Sequence, residues 1–253
     1  MSARFDARVA AAAKVLGMSA PGRNLLLRPI SRDLNLLATA PVLEPGLRPL
    51  EGNVVMTGPC LPQPVADDDP FDTALEEIPG GVDVIYVSLG TVFNAQTSIY
   101  RKLIAGAASA GAYVVVSAGA SFDALVAIRS ATVRIHRRVP QVALLKRVRW
   151  VITHGGNNTV QECLVAGRPM VVVPFGGDQI VNAHRVERLG VGVRLDAARL
   201  AADSVRTALA TLDDHRVEQR ALQLSLALKG YKGTCLAVDT LLAEVASRPM
   251  PDQ

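Results

Sequence analysis

The chain has 253 residues, enough for one large domain or two small ones with a substantial core. Hydrophobic residues make up 49% and charged residues 20%, with a net charge of +4, a globular balance that argues against a disordered or fibrous chain. Cys60, Cys163 and Cys235 are odd in number and widely spaced, which speaks against a disulfide framework or a zinc site and implies a reducing cytoplasm.

Residues 2–16 are Ala-rich and predict a helix; with Lys14 inside its short apolar run, this start does not read as a signal peptide. Residues 34–38 and 54–56 read as short strands. Between residues 59 and 81 the composition shifts to Pro59, Pro62, Pro64, Pro70 and Pro79 with Asp67, Asp68 and Asp69. Proline removes backbone donors and clustered like charge resists packing, so this stretch reads as a linker or exposed loop. It divides the chain into 1–58, a 59–81 linker and an 82–253 domain.

Beyond residue 82 the pattern alternates. Strands are predicted over 82–88, 113–117, 132–136, 149–153, 170–173 and 191–194. Helices are predicted over 97–110, around Ala143 and Leu144, over 158–166 and 179–189, and from 201 to the tail with breaks near Gly230 and Gly233. The strands are apolar runs without alternation, as expected when both faces are covered. The fold class is therefore α/β, a doubly wound parallel sheet that binds ligands at the carboxyl ends of its strands. No run approaches ~20 apolar residues, so no membrane span is expected.

The densest basic stretch is Arg134, Arg137, Arg138, Lys146, Arg147 and Arg149. It lacks aromatic interleaving and any zinc or helix-turn-helix spacing, so a small polyanion or a solvated face is preferred over nucleic acid.

Chemistry concentrates in Thr153-His154-Gly155-Gly156-Asn157-Asn158-Thr159-Val160-Gln161-Glu162, which leaves a strand and opens a helix. Gly155 and Gly156 permit a tight turn and close backbone approach. The free amides and dipole of a helix N-terminus favour an anion, with Asn158, Thr159 and the His154 ring as further donors. These parts suit a diphosphate, and a bound diphosphate would hold the imidazole cationic. Glu162, one turn along, is placed to accept from a ribose diol. The alternative is structural: Asn158 or Thr159 caps the helix and Glu162 completes a capping box. The next strand ends in Pro174-Phe175-Gly176-Gly177-Asp178-Gln179. Asp178 and Gln179 offer sugar hydroxyls an acceptor pair and an amide, unless Asp178 only caps the following helix. Asn182 and His184 on that helix read as structural.

The words HGGNNTVQE, GRPMVVVP, GGDQIVNA and GVGV, with Ser88-Leu89-Gly90-Thr91 and Val139-Pro140-Gln141 upstream, resemble the signature of the UDP-glycosyltransferase superfamily, family 1, particularly its bacterial macrolide and antibiotic members. The similarity spans about residues 82–195. It implies a GT-B fold of two Rossmann-like halves, of which 82–253 would be the C-terminal, donor-binding half and 1–58 the closing part of the N-terminal half. By position, His154 would contact the diphosphate, and Gly155, Gly156, Asn158 and Thr159 would line its loop. Glu162 would hold the ribose, and Asp178 and Gln179 the sugar. Val139 and Gln141 would flank the base, and Gly90 and Thr91 would close over the phosphates.

The implied donor is a UDP- or dTDP-sugar, with no cofactor and no metal. The acceptor would be a small hydroxylated natural product or lipid, glycosylated with inversion. Two features depart from the family pattern. Arg138 stands where many relatives stack an aromatic residue on the base. The histidine that acts as base near the start of the N-terminal domain has no counterpart, since His136, His154, His184 and His215 all follow the linker. The chain therefore reads either as a transferase that needs a partner chain, a second copy or an unexpected base, or as a non-catalytic donor-binding or auxiliary module.

Overall fold

The computed structural model describes residues 31, 33–44, 52–61, 73–91 and 94–247. The helix expected over 2–16 lies outside the described residues, as does most of the 59–81 linker. The described part begins with two short parallel strands, β1 (Asn35–Leu37) and β2 (Val54–Met56). A helical turn, α1 (Thr73–Glu76), precedes the main domain. The domain runs β3 (Val84–Ser88), α2 (Thr97–Ala108), β4 (Tyr113–Ser117), α3 (Phe122–Leu125), β5 (Val133–His136), α4 (Gln141–Leu144), β6 (Trp150–Thr153), α5 (Asn157–Val165), β7 (Met170–Val172), α6 (Asp178–Arg188), β8 (Gly192–Arg194), α7 (Ala202–Leu212), α8 (His215–Leu228) and α9 (Gly233–Ala246).

The six strands of the domain pair in parallel in the order β5-β4-β3-β6-β7-β8. The chain winds outward from β3 to β5, returns to the centre at β6 and winds outward again to β8. Strand order thus reverses between β3 and β6, and a crevice opens there at the carboxyl ends. The unalternating apolar runs behave as their composition predicts. All five residues of β3 and all four of β6 are buried. Side chains of one parity, including Tyr86, Val115, Val151 and Val172, pack against α5, α6 and α8 through Val160, Leu164, Val186 and Leu224. Those of the other parity, including Ile85, Val87, Val116 and Ile152, pack against α2 and α7 through Leu103, Ile104, Val205 and Leu209. Each fully buried aliphatic side chain contributes about 1.5–3 kcal/mol, so a sheet covered on both faces is the main source of stability. The outer strands β5 and β8 are only partly buried.

Two segments before β3 dock against the domain. The end of the predicted linker forms α1, and the next residues fasten it to the sheet. Ile78 is buried, the Tyr113 hydroxyl donates to the Glu77 carbonyl (2.8 Å), and the Glu77 carboxylate pairs with Arg134 (3.0 Å). An apolar isoleucine and a carboxylate facing a basic strand override the loop-like composition. The β1–β2 segment docks as well: Ala40 and Leu43 enter the core, and Gln161 Nε2 donates to the Ala38 carbonyl (2.6 Å).

The tail is three helices. Asp213 and Asp214 separate α7 from α8, where the Asp214 carboxylate caps the new helix at the Arg216 amide (2.8 Å). Of the basic stretch, Arg134, Arg137 and Arg149 are ion-paired. Arg149 pairs with Asp83, Asp213 and Glu218 at 2.7, 2.5 and 2.9 Å, and Arg137 pairs with Asp123 (2.6 Å) while lying over the Phe122 ring.

Gly106 of α2 marks a close helix–helix contact. A Cβ there would lie 2.5 Å from both the Ala202 carbonyl oxygen and Val205 Cβ of α7. Gly106→Val should therefore force α2 and α7 apart and lower unfolding stability by about 1–3 kcal/mol in denaturant titration. An unchanged midpoint would show that the helices separate freely.

Candidate functional site

The loops that leave β3 and β6 meet over the crevice. After β3 the chain turns at Gly90, with φ of 78°. After β6 comes His154, half-buried, with the glycine pair behind it. The imidazole is clasped between two glycines: a Cβ on Gly90 would lie 2.5 Å from His154 Cε1, and one on Gly156 would lie 2.7 Å from Nε2. Only glycine fits at either position, so the ring is held by backbone on both sides. Thr153 Oγ1 lies 3.4 Å from His154 Nδ1 and accepts from the Gly155 amide (3.3 Å).

Gly155 has φ of 88°, and Asn182 Nδ2 donates to its carbonyl (2.9 Å). Asn182 also accepts from Arg185 (2.8 Å), which pairs with Glu44 (2.5 Å). A polar chain therefore runs from the β1–β2 segment through α6 to the glycine loop.

The N-terminus of α5 is open. Its N-cap is Gly156, with no side-chain cap, and the first amide to reach an intrahelical carbonyl is that of Val160 (3.0 Å). The amides of Asn157, Asn158 and Thr159 are left to face an anion. The capping alternative fails on position, since neither Asn158 nor Thr159 caps and Glu162 lies in the sixth helical place rather than the third. Capping by Asp178 fails similarly: the N-cap of α6 is Gly177, with φ of 59°, and Asp178 is exposed at the first helical position.

Further along α5, Thr159 and Glu162 are buried on one side of the helix. Gln141 donates Nε2 to Glu162 Oε2 (2.5 Å) and lies 3.4 Å from Thr159 Oγ1. Burial pushes the Glu162 carboxyl up, and the Gln141 hydrogen bond opposes the shift. Expected beside the base, Gln141 thus sits on the carboxylate expected to hold the ribose. Val139 packs its side chain against the core. Arg138 lines a cleft of about 310 Å³ at the edge of β5, together with Phe122, Ile135 and Arg137.

Gln179 is buried and its Oε1 accepts from the Phe175 amide (2.8 Å), so it shapes the turn that presents Asp178. Thr91 is exposed at the crevice mouth, and Asn158 is exposed at the start of α5. His184, read as structural, is an exposed side chain 3.7 Å from Glu187.

Sequence reasoning missed two residues. Asn94 ties the loop after β3 to the loop after β4: Nδ2 donates to the Gly90 carbonyl (2.9 Å), and the backbone oxygen accepts from Ser121 (2.7 Å). Tyr86, inside β3, donates to Gln141 Oε1 (2.8 Å). A tyrosine amid a valine-rich strand was the available signal, because a buried phenol requires a partner. Among the described residues no cluster of three or more His, Cys, Asp or Glu could hold a metal ion, and no helix is long and apolar enough to cross a membrane.

An anion-competent helix N-terminus and a clasped histidine thus meet at the switch point of a parallel sheet, and the same helix carries a buried carboxylate. The family model for UDP-glucoronosyl and UDP-glucosyl transferase matches residues 34–230. The chain belongs to this family. An NDP-glycosyltransferase of Bacillus licheniformis is 36% identical over 172 residues, covering 66% of this chain and 42% of that protein. The oleandomycin glycosyltransferase of Streptomyces antibioticus is 33% identical, covering 67% and 40%. The crystal structure of the glycotransferase of kitacinnamycin superposes with a TM-score of 0.78 at 29% identity, covering 96% of this chain and 62% of that one. The fold is that of the GT-B glycosyltransferases, and the chain spans about half the length of the curated relatives it matches.

Two outcomes test the site. His154→Ala or Glu162→Ala should weaken UDP binding by about 1–3 kcal/mol in calorimetry, the scale of one lost charge-assisted hydrogen bond. Unchanged affinity in both variants would reduce the loop to a structural turn. The second outcome concerns protons. Burial holds the His154 pKa below its ordinary value, with Asp178 opposing, so the free ring is neutral at neutral pH. A diphosphate favours the cation and raises that pKa, so binding takes up a proton. Affinity should fall as pH rises between the depressed free-state pKa and the raised bound-state pKa. His154→Asn should flatten that slope, and an equal slope in the variant would assign the proton elsewhere.

Proposed function

We propose that this chain binds a UDP- or dTDP-sugar across the β3–β6 crevice. There it transfers, or helps transfer, the sugar to a hydroxyl of a small natural-product or lipid acceptor with inversion. The observation that carries the reading is the meeting of His154 and the open N-terminus of α5 at one crevice, with Glu162 buried on the same helix. In this reading the diphosphate lies on the Asn157–Thr159 amides with His154 donating to it, and Gly90 and Thr91 close over it. Glu162 accepts from the ribose, Asp178 from the sugar, and the base lies toward Val139 and the Arg138 cleft.

As the bond from the anomeric carbon to the leaving phosphate stretches, negative charge grows on the diphosphate. Fixed amides and a cationic imidazole stabilise that charge more than the ground state, which accelerates transfer. These donors serve the role a cation would otherwise fill, so the reading includes no metal and no cofactor. The base that takes the acceptor proton is not assigned to any residue of the crevice. The setting proposed is the cytoplasm.

A second reading is a donor-binding or auxiliary module that pairs with another chain. Calorimetry with UDP and dTDP, with and without EDTA, tests the donor site; expected is binding of at least one nucleotide, unchanged by EDTA. Transfer and donor hydrolysis assays with UDP-glucose, dTDP-glucose and a panel of hydroxylated acceptors then separate the readings. Binding without turnover supports the module, and failure to bind either nucleotide overturns both.

A further inference from the structure

Tyr86 occupies the middle of β3, between Val115 of β4 and Val151 of β6, and is 1% exposed. A phenylalanine would fill the same space without the desolvation a phenol suffers, so the hydroxyl must be accounted for by what it bonds. It donates to Gln141 Oε1 (2.8 Å), and Gln141 Nε2 donates to Glu162 Oε2 (2.5 Å). The direction of this chain is set by chemistry. An ionised carboxylate has no hydrogen to give, so the amide nitrogen must face Glu162, and the amide oxygen must then find a donor on its other side. Tyr86 is that donor. Without its hydroxyl the amide oxygen loses its buried donor, and the Gln141 side chain is no longer anchored at its far end against Glu162. Glu162 Oε1 meanwhile has no hydrogen-bond partner among the described residues and is the oxygen left to accept from a ligand.

We infer that Tyr86 is a positioning residue for the donor's ribose, acting through Gln141 to hold Glu162 in the orientation that accepts from the ribose hydroxyls. The inference rests on the donor site proposed above. Burial pushes the Glu162 carboxyl up and the Gln141 hydrogen bond opposes that shift, so the amide that Tyr86 anchors is a group that favours the charged form. The loop words around residue 154 give no hint of this link, which joins residues 55 positions apart and then 21.

The test is discrimination between nucleotides with and without ribose hydroxyls. The full chain is titrated calorimetrically with UDP and with 2′,3′-dideoxy-UDP. If dTDP binds more tightly, dTDP and 3′-deoxythymidine diphosphate are used. The unchanged chain should prefer the hydroxylated nucleotide by about tenfold, the equivalent of one charge-assisted hydrogen bond. Tyr86→Phe should erase most of that preference while leaving the deoxygenated nucleotide's affinity within about twofold, because only the carboxylate's aim is lost. Gln141→Met, at a half-buried helix start, should also erase the preference and guards against a fold defect in the strand. In a Glu162→Gln background, Tyr86→Phe should change the preference no further.

An unmoved preference in Tyr86→Phe, an equal loss for both nucleotides, or additive effects in the double variant would each overturn the assignment while leaving the donor site standing. Failure of the unchanged chain to bind any of these nucleotides would overturn the donor site and this assignment with it.

Discussion

A parallel sheet whose winding direction reverses at its centre leaves an opening between the two loops that part there. In this chain the strands are β3 and β6, and the rest of the site depends on how closely their loops approach. The approach is set by sterics: His154 rises between Gly90 and Gly156, and a Cβ on either glycine would overlap the ring. With the imidazole fixed by backbone, the amides at the head of α5 are fixed relative to it. The arrangement is then preorganised, as the proposed diphosphate site requires.

Polar chains from three directions hold the crevice in shape. Asn94 joins the loops after β3 and β4 at the rim. From the β1–β2 segment, Glu44, Arg185 and Asn182 lead to the Gly155 carbonyl, a link with both charged side chains largely buried. From within the sheet, Tyr86 and Gln141 lead to Glu162. In each case a buried polar group finds a partner and so avoids the penalty of standing alone. The docked N-terminal segment is thereby coupled to the loop at the heart of the site.

Much of the architecture was legible in the sequence because its signals are local. Runs such as VIYVS and WVIT are apolar without alternation and can only be strands covered on both faces. Their spacing with helices forces a parallel sheet, and glycine-rich loops after the β6 and β7 runs marked the ligand edge. Less was legible where composition and packing disagree. Residues 73–81 carry a linker's composition, yet Ile78 and Glu77 anchor them to β4 and β5. The words around Gln179 do not reveal that its amide oxygen also accepts from the Phe175 amide and shapes the turn. The basic stretch suggested an anion surface, yet Arg149 is enclosed by three carboxylates brought together from residues 83, 213 and 218.

By itself the sequence determined the doubly wound class, the sheet edge at which the glycine-rich loops lie and the loop words that carry the family. Each of these follows from periodicity, turn chemistry or residue order over short stretches. Only the tertiary structure decided what the side chains in those words do. Whether α5 is capped, which oxygen of Glu162 is engaged, and whether His154 is neutral in the free chain depend on neighbours tens of residues away. The physical reason is that hydrogen bonds and burial act through space. A motif states which groups are present, and the fold decides which of them are already occupied.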